Sequence, residues 1–409
     1  MSGGVKFSLI GRTLKHSYSK IIHARLGDYP YDLVELEPND VERFVKSKEY
    51  KGFNVTIPYK SVVMEYLDEI DPMAKKIGAV NTVVNENGRL KGYNTDFYGM
   101  TFMIDNAGIE ICGKVVMILG SGGTSKTATA LCESKGAKEI VTVSRSGVVN
   151  YENCKERKDV QVIINTTPVG MFPDNYSCPV DIDDYPLLEG VVDVVYNPSK
   201  TLLCYNAGVK GIKNVNGFYM LVAQAKYACD RFFGKVTDDD VIDKVYDELS
   251  TKKRNVVLIG MPGSGKSTVG KELAKLLDRE FIDTDREIEK QAGTDIPTIF
   301  KEHGEEYFRE LESKVIKEVG GLTEKVIATG GGVVKNIKNL YPLKSNGKLF
   351  FLKRELESLA TGGRPLSKDV QTVKKLYEER KGMYEKFLDV TISNDGELCK
   401  TVKEIMEKL

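Results

Sequence analysis

The chain has 409 residues, with 59 basic and 59 acidic side chains, three His and seven Cys. At roughly 100–200 residues per domain this length holds two to four domains. A composition of 41% hydrophobic and 29% charged residues supplies apolar material for more than one core and argues against disorder. The formal charge of zero argues against nucleic acid or an acidic membrane as main partner; small anionic ligands need only local charge. No apolar run approaches the ~18 residues that span a bilayer, and residues 1–11 lack the basic and apolar regions of a signal peptide. The cysteines are odd in number, scattered and without a C-x-x-C pair. That pattern fits reduced thiols in a cytoplasmic enzyme better than a disulfide or zinc framework.

In chain order, residues 5–10 read as a strand, followed by Gly11-Arg12 and by Ser17 and Ser19 on a loop. A second strand over 53–57 carries Thr56, stops at Pro58 and leads to Lys60. Gly78-Ala79-Val80-Asn81-Thr82 and Asn94-Thr95-Asp96 follow. Hydroxyls, amides, one lysine and one aspartate suit a polyhydroxy ring that carries a carbonyl. A Lys beside an Asp can relay a proton at the carbonyl oxygen while hydride moves at carbon.

A new unit opens at 114–119, a buried-type strand that runs into Gly120-Ser121-Gly122-Gly123-Thr124 and a helix to about residue 135. This turn suits a pyrophosphate, cradled by backbone N–H groups at a helix N-terminus. The strand at 139–143 ends at Ser144-Arg145-Ser146, where an NAD enzyme places its ribose-binding acid. A guanidinium with two hydroxyls there favours a 2′-phosphate, hence NADPH over NADH. Further strands are expected at 160–165 and 191–195. Strand–helix alternation with continuous apolar strands implies a parallel sheet covered on both faces.

Residues 5–247 resemble shikimate dehydrogenase, through the strings around Lys60 and Asp96, the glycine turn, Asp193-x-x-Tyr196-Asn197-Pro198 and Gly217-Phe218-x-Met220-Leu221-x-x-Gln224. The resemblance implies Lys60 as acid/base with Asp96 as its partner. Ser17, Ser19, Thr56, Asn81, Asp96, Tyr196 and Gln224 would face the substrate, and Gly217 and Met220 the nicotinamide. One stretch departs from the family: only fourteen residues, 147–160, separate Ser146 from the next strand. This implies a trimmed cofactor sheet that lacks an edge strand.

A polar stretch, 248–254, then separates a second block. The strand at 255–260 runs into Gly260-Met261-Pro262-Gly263-Ser264-Gly265-Lys266-Ser267-Thr268, a G-x-x-x-x-G-K-[ST] phosphate loop. In the helix after it, Val269, Leu273, Leu276 and Leu277 fall on one face. In such a loop Gly263, Ser264, Gly265 and Thr268 surround phosphates, Lys266 bridges the outer ones and Ser267 holds Mg²⁺. Further strands are expected at 325–328 and 348–352. Asp283-Thr284-Asp285, Gly304-Glu305-x-x-Phe308-Arg309-x-x-Glu312, Gly330-Gly331-Gly332, Arg364-Pro365-Leu366 and Arg380 complete the pattern. Two acids, two arginines and a bare-backbone loop suit a small polyhydroxy carboxylate.

Residues 254–409 resemble shikimate kinase. The resemblance implies Mg²⁺ at Ser267 and Asp283, and Asp285 at the reacting hydroxyl beside the catalytic Lys266. It also implies shikimate held by Arg309, Gly331 and Arg380, and Arg364 closing over ATP. In the lid, Ala360 stands where the family often has a further arginine.

The expected architecture is α/β throughout. Residues 1–98 with 217–247 form a substrate-binding α/β domain, and 99–216 a Rossmann-like NADP domain. A linker at 248–254 leads to a P-loop NMP-kinase-like domain with a parallel sheet, 255–409. The implied function is bifunctional. NADPH-dependent reduction of 3-dehydroshikimate to shikimate is followed by MgATP-dependent phosphorylation to shikimate 3-phosphate, with no nucleic-acid or membrane partner. The alternatives are quinate as substrate of the first block, and a non-catalytic, metabolite-sensing regulator. Intact Lys60, Asp96, Lys266 and Asp285 weigh against the regulator.

Overall fold

The computed structural model describes residues 5–15, 17–359 and 370–409. The chain divides into two compact units, residues 1–197 with 201–248, and residues 198–200 with 249–409. Among the described residues no helix is long and apolar enough to cross a membrane.

The first unit carries two sheets. One contains β1 (Phe7–Gly11), β2 (Tyr31–Glu35), β3 (Gly52–Val55), β4 (Glu69–Ile70), β5 (Thr82–Glu86) and β6 (Arg89–Tyr93), in the order β2-β1-β3-β5-β6-β4. Its helices are α1 (Ser19–Leu26), α2 (Val41–Ser47), α3 (Pro72–Ile77) and α4 (Thr95–Asn106). The expectation of a wholly parallel sheet fails here. β3–β5 and β5–β6 pair antiparallel; β5 turns into β6 at Asn87 and Gly88, which take φ of 55° and 88°. Two successive positive φ values make the tight turn that matches strand twist in a hairpin.

The second sheet contains β7 (Val115–Leu119), β8 (Glu139–Val143), β9 (Val162–Asn165), β10 (Gly190–Asp193) and β11 (Lys213–Asn216). Its order is β11-β10-β9-β7-β8, and all its pairs are parallel. The helices here are α5 (Gly123–Ser134), α6 (Leu202–Val209) and α7 (Phe218–Phe233); α8 (Asp240–Lys253) begins in this unit, and its residues from 249 on belong to the second. β8 is the edge. Between β8 and β9 the chain makes one 3₁₀ turn, Cys154–Glu156, and no strand.

Helix α7 returns to the first sheet. Phe232 stacks on Phe7 with ring centroids 4.7 Å apart, and a Cβ at Gly52 would lie 2.5 Å from the Phe232 ring. α4 and α7 approach so closely that a Cβ at Gly99 would meet the Met220 carbonyl at 2.8 Å. The stretch read as a linker, 248–254, is helical through Lys253. The reason is spacing: Ile242, Val245 and Leu249, three and four residues apart, are all buried and make one apolar stripe.

The second unit has one sheet of β12 (Asn255–Ile259), β13 (Glu280–Asp283), β14 (Lys325–Ala328), β15 (Gly347–Lys353) and β16 (Val390–Ser393). The order is β13-β14-β12-β15-β16, parallel throughout as expected. Around it lie α9 (Lys266–Leu277), α10 (Thr284–Ala292), α11 (Ile296–Gly320), α12 (Leu340–Asn346), α13 (Val370–Phe387) and α14 (Leu398–Glu407). The buried stripe of α9 is Val269, Gly270, Leu273 and Ala274, while Leu276 faces outward. α11 is broken at Gly304 (φ 83°, ψ 176°), so a fresh helical turn starts at Glu305. That backbone is open to glycine at little steric cost.

At the end of β10, Asp193 is fully buried. It accepts hydrogen bonds from Thr201 Oγ1 (2.7 Å), Asn165 Nδ2 (3.0 Å) and the Val195 N–H (3.0 Å). Burial outweighs these donors and raises its carboxyl from 3.8 to about 6. The folded chain therefore keeps a proton between pH 4 and 6 that the unfolded chain releases, so stability falls as pH rises through that window and then levels off. The fall should approach about 3 kcal/mol, at about 1.4 kcal/mol per pKa unit. Urea unfolding of the protein and of Asp193→Asn across pH 4–8 checks this: the variant should lose that part of the slope.

Candidate active sites

The first unit holds a cavity of about 460 Å³ between the ends of its two sheets. β3 leads through Thr56 to Lys60, whose carbonyl accepts the Val80 N–H at 2.8 Å. That bond pins the backbone of Lys60 to the segment that delivers Asn81. Asn81 is buried, and its Oδ1 accepts the Thr95 N–H at 2.6 Å. Asn94 caps α4 by accepting the Phe97 N–H at 3.1 Å. Two side-chain acceptors thus satisfy otherwise unpaired N–H groups at the start of α4. Asp96 sits in that first turn, where the helix dipole favours a negative charge. Lys60 Nζ lies 2.6 Å from Asp96 Oδ2, with 26% and 15% of the two side chains exposed. This pair is shielded enough to interact strongly and open enough to reach a ligand.

Ser17, Ser19, Thr56, Asn81, Tyr196 and Gln224 all line the same cavity, together with Gly217, Met220 and Thr124. A Cβ at Gly217 would lie 2.0 Å from the Val194 carbonyl oxygen, so only glycine lets α7 begin there. The structure does not bring Gly120, Ser121, Gly122, Gly123, Ser144, Arg145 or Ser146 to this wall. They lie side by side at the ends of the paired strands β7 and β8, where the Gly120 N–H bonds the Val143 carbonyl. Gly120 has φ 109°. Space is open around the α-carbons of Gly122 and Gly123, and α5 starts there with no acid in its first turn. Arg145 is exposed beside them. An open cradle at a helix N-terminus with an exposed cation nearby fits a phosphorylated dinucleotide.

Sequence reasoning missed Asn54. It is buried and lines the cavity. It accepts from the Tyr31 hydroxyl at 2.7 Å and donates to the Asn81 carbonyl and Thr82 Oγ1. Its signal was a polar residue inside an otherwise apolar strand, which must find partners when buried. Behind it, His23 stacks on Tyr31 with centroids 3.9 Å apart. Burial lowers the His23 imidazole to about 3, so it is neutral at ordinary pH.

The second unit holds a cavity of about 580 Å³ at the C-terminal ends of β12, β13, β14 and β15. Gly263, Gly265, Lys266, Ser267 and Thr268 line it; Ser264 is buried beneath. Lys266 Nζ donates to the carbonyls of Gly260 and Met261 at 2.8 and 2.9 Å. Ser267 Oγ donates to Asp283 Oδ2 at 2.7 Å, and Asp283 also caps α10 by accepting the Asp285 N–H. A hydroxyl and a carboxylate in contact beside a phosphate loop are hard oxygen donors and fit a Mg²⁺ ion.

Opposite, Arg309 bonds Glu312 Oε2 at 2.7 Å and Glu305 Oε1 at 3.2 Å. Glu312 is buried; burial raises its carboxyl above the usual range, Arg309 opposes this, and the charge of Asp285 adds to the rise. Arg380 and the Tyr384 hydroxyl both donate to the Gly331 carbonyl, at 2.8 and 2.6 Å. The three glycines are each pressed by a different group. A Cβ would lie 2.6 Å from Asp285 Oδ1 at Gly330, 2.6 Å from Pro262 Cδ at Gly331, and 2.5 Å from the Arg309 guanidinium at Gly332. Sequence reasoning missed Glu289, Phe300 and Arg354 on this wall. Arg364 and the Ala360 lid position lie outside the described residues.

Comparison with known proteins decides what these cavities belong to. Residues 9–83 match the family model for the shikimate dehydrogenase substrate binding domain, and residues 262–409 that for shikimate kinase. The chain is 36% identical over 271 residues to "Shikimate dehydrogenase (NADP(+))" of Caldanaerobacter subterraneus subsp. tengcongensis, covering 59% of this chain and 97% of the relative. The chain belongs to the shikimate dehydrogenase family. The Clostridium perfringens relative of the same name is 36% identical over 267 residues, covering 60% and 98%.

Among solved structures, a chorismate mutase/shikimate 5-dehydrogenase fusion protein from Clostridium acetobutylicum aligns with TM-score 0.59 and 35% identity, covering 61% of this chain and 98% of that one. Shikimate 5-dehydrogenase from Thermus thermophilus, in complex with NADP(H) and shikimate, aligns with TM-score 0.54 and 26% identity, covering 60% and 99%. The protein is thus a bifunctional enzyme of the shikimate pathway, with a shikimate dehydrogenase part followed by a shikimate kinase part.

The buried Asn81–Thr95 bond sets the start of α4, and with it Asp96. Asn81→Ala should cost about 1–3 kcal/mol by removing the Oδ1 that accepts from the Thr95 N–H and from the Thr82 and Thr95 hydroxyls. Urea unfolding at neutral pH measures that loss, and an unchanged midpoint would show that the bond does not hold the helix start.

Proposed function

We propose that the first unit reduces 3-dehydroshikimate to shikimate with NADPH, and that the second phosphorylates the 3-hydroxyl of shikimate with MgATP. The observation that carries the reading is the Lys60–Asp96 pair at 2.6 Å, set in a cavity whose other polar walls are hydroxyls and amides. Residues 1–98 with 217–247 would hold the substrate, 99–216 the dinucleotide, and 255–409 the kinase reaction, with 248–254 between them.

In the first unit, Ser17, Ser19, Thr56, Asn81, Tyr196 and Gln224 would bind the carboxylate and ring hydroxyls. NADPH supplies the hydride when bound, held by the 120–124 turn and by Ser144, Arg145 and Ser146, with Gly217 and Met220 at the nicotinamide end. Lys60 gives its proton to the carbonyl oxygen as that oxygen gains charge, and recovers one from solvent. Asp96 keeps the lysine aimed. For shikimate oxidation the same proton moves in reverse, as one acid/base group requires.

In the second unit, the backbone N–H groups of 263–268 and the Lys266 ammonium would bind the phosphates of ATP, and Ser267 with Asp283 would hold Mg²⁺. Arg309 and Arg380 would grip the shikimate carboxylate near the Gly331 backbone. Asp285 would orient the 3-hydroxyl and take its proton as the oxygen attacks phosphorus. Cations preorganised around the transferred group stabilise its charge without reorganising.

A coupled assay supplied with 3-dehydroshikimate, NADPH and MgATP should consume NADPH and accumulate shikimate 3-phosphate. Quinate with NADP⁺ and NAD⁺ forms the control for substrate identity. Lys60→Ala should lower dehydrogenase turnover by ~10²–10⁴ and leave kinase turnover alone; a full dehydrogenase rate in that variant would remove Lys60 from the mechanism. Arg145→Asp should shift cofactor preference from NADPH toward NADH. Steady-state ratios of kcat/KM for the two cofactors measure this, and an unmoved ratio would show that Arg145 does not meet the 2′-phosphate.

A further inference from the structure

Arg354 follows β15 directly and lines the kinase cavity. Its Nε is buried and has no hydrogen-bond partner. A buried donor left unpaired is costly, so such a group asks for an explanation. The other cations on this wall all engage protein acceptors. Lys266 bonds the loop carbonyls, Arg309 bonds Glu305 and Glu312, and Arg380 bonds the Gly331 carbonyl. Arg380 Nε is buried and unpartnered too, but that guanidinium is anchored through Nη1, whereas among the described residues no acceptor meets Arg354. Its fork is therefore ready for an acceptor that the described residues do not supply.

Topology says which ligand brings that acceptor. β12, which feeds the phosphate loop, is flanked by β14 on one side and β15 on the other. Asp285 and the Gly330–Gly332 triplet follow β13 and β14, so the acceptor-binding groups gather on the β14 side. Arg354 stands on the opposite flank. The ends of β15 and β16 press directly on the phosphate loop. A Cβ at Gly260 would lie 2.8 Å from the Leu352 carbonyl, and one at Gly265 would lie 2.6 Å from Asn394 Nδ2. We propose that Arg354 is a nucleotide-binding residue whose guanidinium meets the phosphate chain of ATP. This rests on the kinase reading of the second unit. A guanidinium fork suits phosphate oxygens because it offers paired, coplanar donors.

The test uses the full chain with Arg354→Ala and Arg354→Lys, with thermal unfolding as the fold control. Calorimetric Kd for MgATP and the KM for ATP should rise about 10–150-fold in Arg354→Ala, the size of one charge-assisted bond. The KM for shikimate should stay in place, and Arg354→Lys should recover part of the loss. Should Arg354→Ala unfold, Arg354→Gln keeps a polar amide donor without the charge and carries the same comparison. Unchanged MgATP affinity overturns the proposal, and so does a defect confined to shikimate. If the parent protein binds MgATP but never phosphorylates shikimate, the reaction assignment fails while the Kd comparison still decides the role of Arg354.

Discussion

A charge held in a half-buried cavity must meet an opposite charge or a set of dipoles, and both sites are built on that constraint. In the first unit Lys60 answers Asp96 across 2.6 Å, and the start of α4 adds the favourable end of a helix dipole to the carboxylate. The pair stays aligned because each partner is fixed from behind. The Lys60 carbonyl is tied to Val80, and the start of α4 is tied to Asn81. Asn54 in turn braces Asn81, with the Tyr31 hydroxyl holding Asn54. In the second unit the same rule pairs Arg309 with Glu312, a buried carboxylate that desolvation pushes up and that arginine pulls back down.

Contiguous features were the legible ones. The phosphate loop, the Lys60 string and the strands at 139–143 and 325–328 each declare themselves within a few residues, and the observed β8 and β14 have those bounds. The Asn87-Gly88 hairpin is also legible, since that dipeptide between alternating strands is a strong turn signal, and it outweighs strand–helix alternation for β5 and β6. Leu276 misled because a 3.6-residue period assigns it only to the margin of the α9 stripe, and the sheet covers the other margin.

Other features have no local signature at all. The 330–332 triplet reads as a bare loop, but what each glycine must avoid comes from Asp285, Pro262 and Arg309, from 23 to 69 residues away in sequence. Asn54 carries a polar side chain into a buried strand, a signal that becomes specific only once Tyr31, Asn81 and Thr82 surround it. Arg354 is one arginine after one strand. Its meaning comes from the position of β15 beside β12, which no spacing within the chain expresses.

Under the proposed function the two cavities meet one ring compound with different chemistries, and electrostatics gives the reason. The kinase cavity must gather a carboxylate and a chain of phosphates in one place, and like charges at that range repel unless cations stand between them. Four cations, Lys266, Arg309, Arg354 and Arg380, accordingly line its wall. The first cavity handles a single carboxylate near a reacting carbonyl, and its wall offers Lys60 and Lys15 among hydroxyls and amides. Neutral donors there position the ring without adding a field that competes with the lysine. Lys60 can then keep Asp96 as its partner while its proton remains available to the carbonyl oxygen.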